Sequence, residues 1–203
     1  MVTDQIETII LIIHQNYQTF CEFYYSKYPF EANLRKLSCA EALNDDFLVQ
    51  MFIYINSLTQ AQSAIIGKGL LKYSEFLRMR VKQYDTAYHK VLAKSISEES
   101  DGEYPIIKVI NDLMGMRIIL PNVNDNYDQI RALLNCLKKQ KIISRFYHRD
   151  DHNYHAFHCY FKDSNMTFPW ELQIWDQKDE QENVTAHLRH NQERDDILKE
   201  GGK

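Results

Sequence analysis

Six residues in the first half of the chain constrain its fold most. From Leu77 to Lys82, the basic residues Arg78, Arg80 and Lys82 alternate with the apolar Leu77, Met79 and Val81. A period of two is strand spacing, in which successive side chains point to opposite faces of a sheet. The strand therefore carries one apolar face for a core and one face of cations. Like charges this close repel unless anions neutralise them, and phosphates are the usual anions.

The sequence before this strand has another period. Ile6, Ile9, Ile10, Ile13, Tyr17, Phe20 and Tyr24 recur at helical spacing, with Thr3 or Asp4 to cap the segment and Pro29 beyond its end near Lys27. A second helix is expected over about Ala40 to Leu58, and Gly67 and Gly69 punctuate the chain after it. Beyond the cationic strand, a short helix is expected from Asp85 or Thr86 to about Lys94, then a polar loop over Ser95 to Gly102. Met114 to Leu120 reads as a strand closed by Pro121, and Asn124 to Lys141 as a helix. Ile142 to Tyr147, Tyr154 to Phe161 and Phe168 to Trp175 read as three further strands. Arg149 then opens a polar loop, and the chain from Asp176 is charged and helical in pattern. Strands and helices mix without βαβ alternation. The expected class is α+β, with a mixed β-sheet of about five strands flanked by helices. An N-terminal helical extension is expected over 1–70, a core over 71–190 and a charged tail over 191–203.

A chain of 203 residues can bury a full core without disulfides. Its four cysteines are scattered, with no CxxC pair, so reduced thiols are the simplest reading. The apolar run Ile9 to Ile13 is too short to span a bilayer, and Asp4 and Glu7 stand where a signal peptide would be basic. A cytoplasmic location without membrane insertion is the resulting expectation. The formal net charge of −4 argues against a general polyanion binder, so any nucleotide site must be a local patch. Two basic stretches supply candidates. One runs from Lys68 to Lys94. The other holds Arg131, Lys138, Lys139, Lys141, Arg145 and Arg149 without an acid between Gln129 and Arg149. Such stretches are often solvated faces; three cations on one face of a strand argue for more.

Four motifs resemble the synthetase domain of the RelA/SpoT family, which includes the small alarmone synthetases. Arg80-Val81-Lys82, with Lys90 following, resembles the family's R-x-K strand and the lysine on its next helix. Asp112-Leu113-Met114-Gly115-Met116-Arg117 resembles D-[IL]-x-G-x-R. Tyr154-His155-Ala156-Phe157-His158 resembles part of N-G-Y-R-S-x-H, and Glu171-Leu172-Gln173-Ile174 resembles E-[IV]-Q-[IL]. The resemblance covers roughly Tyr73 to His190. It implies that Arg80, Lys82, Lys90 and Arg117 hold ATP phosphates. It also implies that Asp112 and Glu171 bind Mg2+, with Glu171 as general base, and that Tyr154 stacks on the acceptor base. The implied reaction is pyrophosphate transfer from ATP to a ribose 3′-hydroxyl.

The residues agree with that reading on their own chemistry. Strand alternation puts Tyr154, Ala156, His158 and Tyr160 on one face, and Glu171, Gln173 and Trp175 on one face of the next strand. A carboxylate between Trp170 and Leu172 is costly to bury unless it works or pairs. Tyr154, His158 and Gln173 are the candidate acceptor contacts. A rival set of His148, Asp150, Asp151, His152, His155 and His158 is dense enough for a transition metal, but its spacing matches no known hydrolase pattern.

The acceptor loop departs from the family. His152 and Asn153 stand in place of its asparagine and glycine, and His155 in place of its arginine. Trp175 replaces an arginine, and Thr185 to His190 only faintly resembles W-A-x-L-E-H. Phe168 to Asp176 is more similar to the toxic small alarmone synthetases of toxin–antitoxin systems. This implies the 3′ CCA end of tRNA as acceptor, which would block aminoacylation and translation, and an antitoxin protein as a partner. Lys138, Lys139, Lys141 and Arg145 are the candidate tRNA contacts. The alternatives are (p)ppGpp synthesis on GDP or GTP, and a non-enzymatic binding or regulatory relative.

Overall fold

The structure, a computed structural model, describes residues 1–96, 103–151, 153–186 and 189. Among the described residues the chain runs through α1 (Val2–Lys27), α2 (Asp45–Leu70), β1 (Leu77–Val81), α3 (Tyr84–Ser95), β2 (Met114–Leu120), α4 (Tyr127–Lys139), β3 (Arg145–Asp151), β4 (Tyr154–Phe161) and β5 (Trp170–Asp176), with helical residues again at 180–186. The strands form one sheet in the order β1-β2-β5-β4-β3. Only β2 and β5 run parallel; the other three pairs are antiparallel. This is the mixed, α+β arrangement expected. No helix among the described residues is long and apolar enough to cross a membrane.

The period-two pattern divides the sheet. Met114, Met116, Ile118, Leu172, Ile174, Phe157 and Cys159 face one way and join one continuous core with α1, α2 and α4. α1 contributes the stripe that its spacing predicts, Ile6 through Tyr24. Tyr17 of α1 donates to the carbonyl of Phe168 at 2.9 Å, and the Tyr25 hydroxyl accepts from the Phe168 amide at 2.8 Å. The Tyr17 and Trp170 rings lie 5.6 Å apart, and Trp170 stacks on Phe161 at 3.8 Å. These contacts fix the start of β5, one residue before Glu171. α4 buries Ile130, Leu134 and Leu137, and its Tyr127 ring stacks on Phe157.

The structure departs most from the sequence reading in α2, in β3 and at the start of α1. α2 starts at Asp45, where Asn44 caps the Phe47 amide, and continues past Leu58 because Ile65 and Leu70 keep it on the core. It kinks at Gly67, whose φ of +56° is a left-handed conformation that costs glycine little. β3 begins three residues later than expected and runs through the stretch read as loop, pairing Asp151 with Tyr154 around a tight turn at Asn153. Thr3 and Asp4 lie inside the first turn of α1, where Asp4 Oδ2 accepts from the Met1 amino group at 3.0 Å and so reaches back over the helix start. His152, the acidic loop's 97–102, the tail 191–203, and half of the segment Thr185 to His190 (187, 188 and 190) lie outside the described residues.

Candidate active site

The other face of the sheet is polar, and the strand register arranges it in rows. One row crosses all five strands as Arg78, Arg117, Gln173, His158 and Tyr147. The next, two residues along, is Arg80, Gly115, Glu171, Tyr160 and Arg145. A cavity of about 600 Å³ lies over these rows, lined in part by Arg80, Lys82, Lys90, Asp112, His158 and Glu171. At its far end the same face closes into a small second core of Ile119, Tyr154, Ala156, Trp175 and Ala186.

The cationic end is organised around Asp112. Lys82, just past β1, extends the ladder through its amide to the Leu113 carbonyl, and its Nζ lies 2.5 Å from Asp112 Oδ2. Lys90 reaches Oδ1 at 3.3 Å and Arg80 reaches Oδ2 at 3.6 Å. Thr86 and Lys90, four apart on α3, share the face toward the cavity, while Ala87 and Val91 turn to the core. Gly115 has a local reason. A Cβ there would lie 3.1 Å from Arg80 Nε, so the bare backbone lets Arg80 lie across β2 toward Asp112. Burial alone would raise the Asp112 carboxyl, but Lys82, Lys90 and Arg80 overcome it and hold the pKa at about 2. Burial pulls Lys82 down to about 8 in spite of Asp112, with Lys90 and Arg80 pushing the same way as burial.

The centre of the cavity is a hydrogen-bonded polar chain. Glu171, 6% exposed, accepts through Oε1 from His158 Nδ1 at 2.9 Å and through Oε2 from Gln173 Nε2 at 3.0 Å. With Nδ1 donating to the carboxylate, His158 Nε2 accepts from the Tyr154 hydroxyl at 3.0 Å. Gln173 Oε1 accepts from the Arg117 guanidinium at 3.2 and 3.3 Å, and that guanidinium stacks 3.4 Å over Trp175. Burial would raise the Glu171 carboxyl, yet hydrogen bonding and charge from His158, with Tyr160, outweigh it and leave the pKa below its ordinary value. Glu171 is therefore an ionised, oriented, weakly basic carboxylate.

The structure thus brings Arg80, Lys82, Lys90, Asp112, His158, Glu171 and Gln173 into one cavity. Arg117 lines a narrow cleft beside it, together with Arg78 and Arg80. Arg78 itself donates to the carbonyls of Ser74, Glu75 and Leu77. Tyr154 departs from the stacking role that the resemblance implies. It is 3% exposed, edge-on to Trp175 in the second core, and offers no open face to a base. The open ring is Tyr147 on the edge strand, 42% exposed and parallel to the His158 ring at 5.1 Å. Tyr147 lines the cavity too, with Arg149 of the second basic stretch and Tyr160 of the polar face of β4, and the sequence reading gives Tyr147 no site role. Its signal is the alternation Arg145, Tyr147, Arg149, which strand bounds of 142–147 cut short. Lys138, Lys139 and Lys141 are exposed but line none of the described cavities. They sit at the end of α4, in the helical layer, and of the four candidate tRNA contacts only Arg145 lies on the cavity face. Among the described residues, no group of three metal-ligating side chains converges. The rival His and Asp set splits across the two faces of β3 and β4, with His155 paired to Asp150.

No curated protein matches the chain. Among solved structures it is similar to small alarmone synthetase 2 from Bacillus subtilis, at 19% identity over 76% of this chain and 88% of that one, with a TM-score of 0.39. It is also similar to small alarmone synthetase 1 from Bacillus subtilis bound to its product pppGpp, at 20% identity over 73% and 80%, with a TM-score of 0.35. A third, the same synthetase bound to AMPCPP, is 21% identical over 72% and 75%, with a TM-score of 0.33. The model of the region found in RelA / SpoT proteins matches residues 79–195, which is more than half of the chain and runs from within β1 through β5. The chain belongs to the RelA/SpoT family.

Proposed function

We propose that this protein transfers the β,γ-pyrophosphate of ATP to a ribose 3′-hydroxyl, and that its acceptor is the 3′ CCA end of tRNA. The observation that carries the transfer is the single polar face, where a cluster of cations stands beside an ionised, buried carboxylate. In the proposed step the 3′-oxygen attacks the β-phosphorus of ATP, the bridge between the α- and β-phosphates breaks, and AMP leaves. The hydroxyl proton passes to Glu171, which His158 and Gln173 hold in place. A carboxylate of lowered pKa is a poor early base. Phosphoryl transfer asks little of one, because its transition state is loose and positioning dominates. Arg80, Lys82, Lys90 and Arg117 neutralise charge on the donor phosphates.

The site fits Mg2+ by its chemistry. Asp112 and Glu171 are the only carboxylates among the described lining residues of the cavity, and Mg2+ prefers one or two carboxylates with water and phosphate oxygens for the rest. Those two residues would hold it, and it would supply charge stabilisation to the phosphates.

The acceptor reading rests on the displaced aromatic. With Tyr154 buried, a base can stack on Tyr147, with Arg149 lining the cavity beside it. Tyr147 is on an open edge strand that a polynucleotide end can reach. Lys138, Lys139 and Lys141 are then outer contacts for the stem.

The test is incubation with ATP labelled at the γ-phosphate, offering tRNA, GDP and GTP separately. The expected result is AMP release with label at the tRNA 3′ end. Release of only ADP and inorganic phosphate would refute the transfer. Label on guanosine nucleotides and none on tRNA would make the protein an alarmone synthetase instead.

A further inference from the structure

The buried Tyr154 spends its hydroxyl on the imidazole that holds Glu171. It donates to His158 Nε2 at 3.0 Å, and Nδ1 on the same ring donates to Glu171 Oε1 at 2.9 Å. A neutral imidazole has one donor nitrogen and one acceptor nitrogen. A phenol donating to Nε2 therefore favours the tautomer whose proton sits on Nδ1, facing the carboxylate. Burial pushes the Tyr154 phenol up to about 12, so it keeps its proton at neutral pH. With the Tyr147 ring parallel at 5.1 Å, His158 is held at both nitrogens and on one face. A half-turn of the ring would break both hydrogen bonds at once.

Tyr154 is fixed in its turn. Its ring stands edge-on to Trp175 at 5.9 Å, and the Arg149 guanidinium lies 5.2 Å over it. The backbone of the next residue is clamped at both polar atoms. Asn183, fully buried in the helical stretch 180–186, accepts from the His155 amide at 2.8 Å and donates to the His155 carbonyl at 2.9 Å. The start of β4 is thus tied to a segment that touches none of the reacting groups. We propose that Tyr154 is a positioning residue, whose hydroxyl locks the His158 ring so that its Nδ1–H holds the Glu171 carboxylate in the orientation that meets the acceptor hydroxyl. This rests on the transfer reading above, with Glu171 as proton acceptor. It differs from a base-stacking role, in which the ring matters and the hydroxyl does not.

Tyr154→Phe keeps the ring in the second core and deletes only the hydroxyl. With tRNA and GDP offered separately, kcat for AMP release on whichever the wild type labels should fall about tenfold, the scale of one lost hydrogen bond, while KM for ATP and for that acceptor stays within about twofold. In a Glu171→Gln background the same substitution should cost less than about twofold, because the hydroxyl acts only through the carboxylate. An equal loss in both backgrounds would overturn the proposal, because the substitution would then only loosen the fold. An unchanged kcat would overturn it too, whether acceptor KM stays put or rises, since a rise would mean that the hydroxyl touches the acceptor. Histidine 15N spectra give a check independent of turnover. The His158 resonances, assigned by their loss in His158→Ala, should show the proton on Nδ1 and Nε2 as acceptor; a proton on Nε2 would refute the lock. A wild type that releases no AMP with either acceptor sinks the transfer reading and this role with it, whereas transfer that runs at full rate in Tyr154→Phe sinks this role alone.

Discussion

Asp112→Asn should destabilise the protein and at the same time make its folding more responsive to polyphosphate. In the native state three cations hold the Asp112 carboxyl at about 2, against an ordinary 3.8. At 1.36 kcal/mol per pH unit, that difference is worth about 2 kcal/mol at neutral pH. The sign follows from the direction. A carboxyl depressed on folding contributes above its unfolded pKa, and the contribution drains away as pH falls from about 4 to about 2. The substitution removes this and leaves Lys82, 8% exposed, beside Lys90 and Arg80 with no counter-charge. Breaking a buried pair on one side typically costs about 3–5 kcal/mol, and residual solvent access to Asp112 favours the lower end. A loss of about 2–4 kcal/mol in urea unfolding is expected, or roughly 4–12 °C in Tm for a chain of this size. Magnesium-free pyrophosphate should restore more stability to the variant than it adds to the wild type, because it meets cations with no internal anion to displace. Equal stability of the two proteins would refute the electrostatic account. So would an equal pyrophosphate response.

Substitutions at Glu171 and Tyr147 test the reacting centre. Glu171→Gln keeps the shape of the polar chain but removes its charge, and should lower turnover by roughly 10²-fold or more in a protein that still folds; near-normal turnover would remove Glu171 from the proton transfer. Tyr147→Ala should weaken acceptor binding by about 1–3 kcal/mol and Tyr147→Phe by far less, as measured by acceptor KM, because stacking needs the ring and not the hydroxyl; if Tyr154→Phe alone shows the defect, the acceptor base sits elsewhere.

The parts of this fold legible in the sequence are those where one period acts alone. β1, β2 and β4 carry clean alternation or unbroken β-branched and aromatic runs, and α1 a clean helical stripe, so their bounds fall within a residue or two. β3 was misplaced because Ile142 and Ile143 look like strand but serve the turn out of α4, where Lys141 takes a positive φ. The polar end of β3, from His148 to Asp151, does not read as strand because an edge strand over a cavity has little to bury. The grouping of Asp112 with Lys82 and Lys90 depends on β1–β2 pairing, which four motifs in order imply but no local pattern states. Tyr154 shows the limit most directly. Alternation places it correctly on the polar face, but it is buried in a cluster with Ile119, Trp175 and Ala186, residues far apart in sequence that no strand-level rule brings together.

The sheet is best seen as a sandwich with one slice missing. Helices fill one side of it, and on the other, among the described residues, the second core lies at the far end of the cavity, so on the proposed function a bound nucleotide would complete the second layer. Side chains on the open side must be content in two surroundings, water before binding and phosphate or base after it. Their mutual pairing, Glu171 with His158 and Gln173 with Arg117, serves the first condition. It follows that adjacent residues of β5 answer to different masters. Glu171 and Gln173 can be altered in ways that change what the protein does and leave it folded. Leu172 and Ile174, one step along the same strand, can be altered only at the expense of the fold.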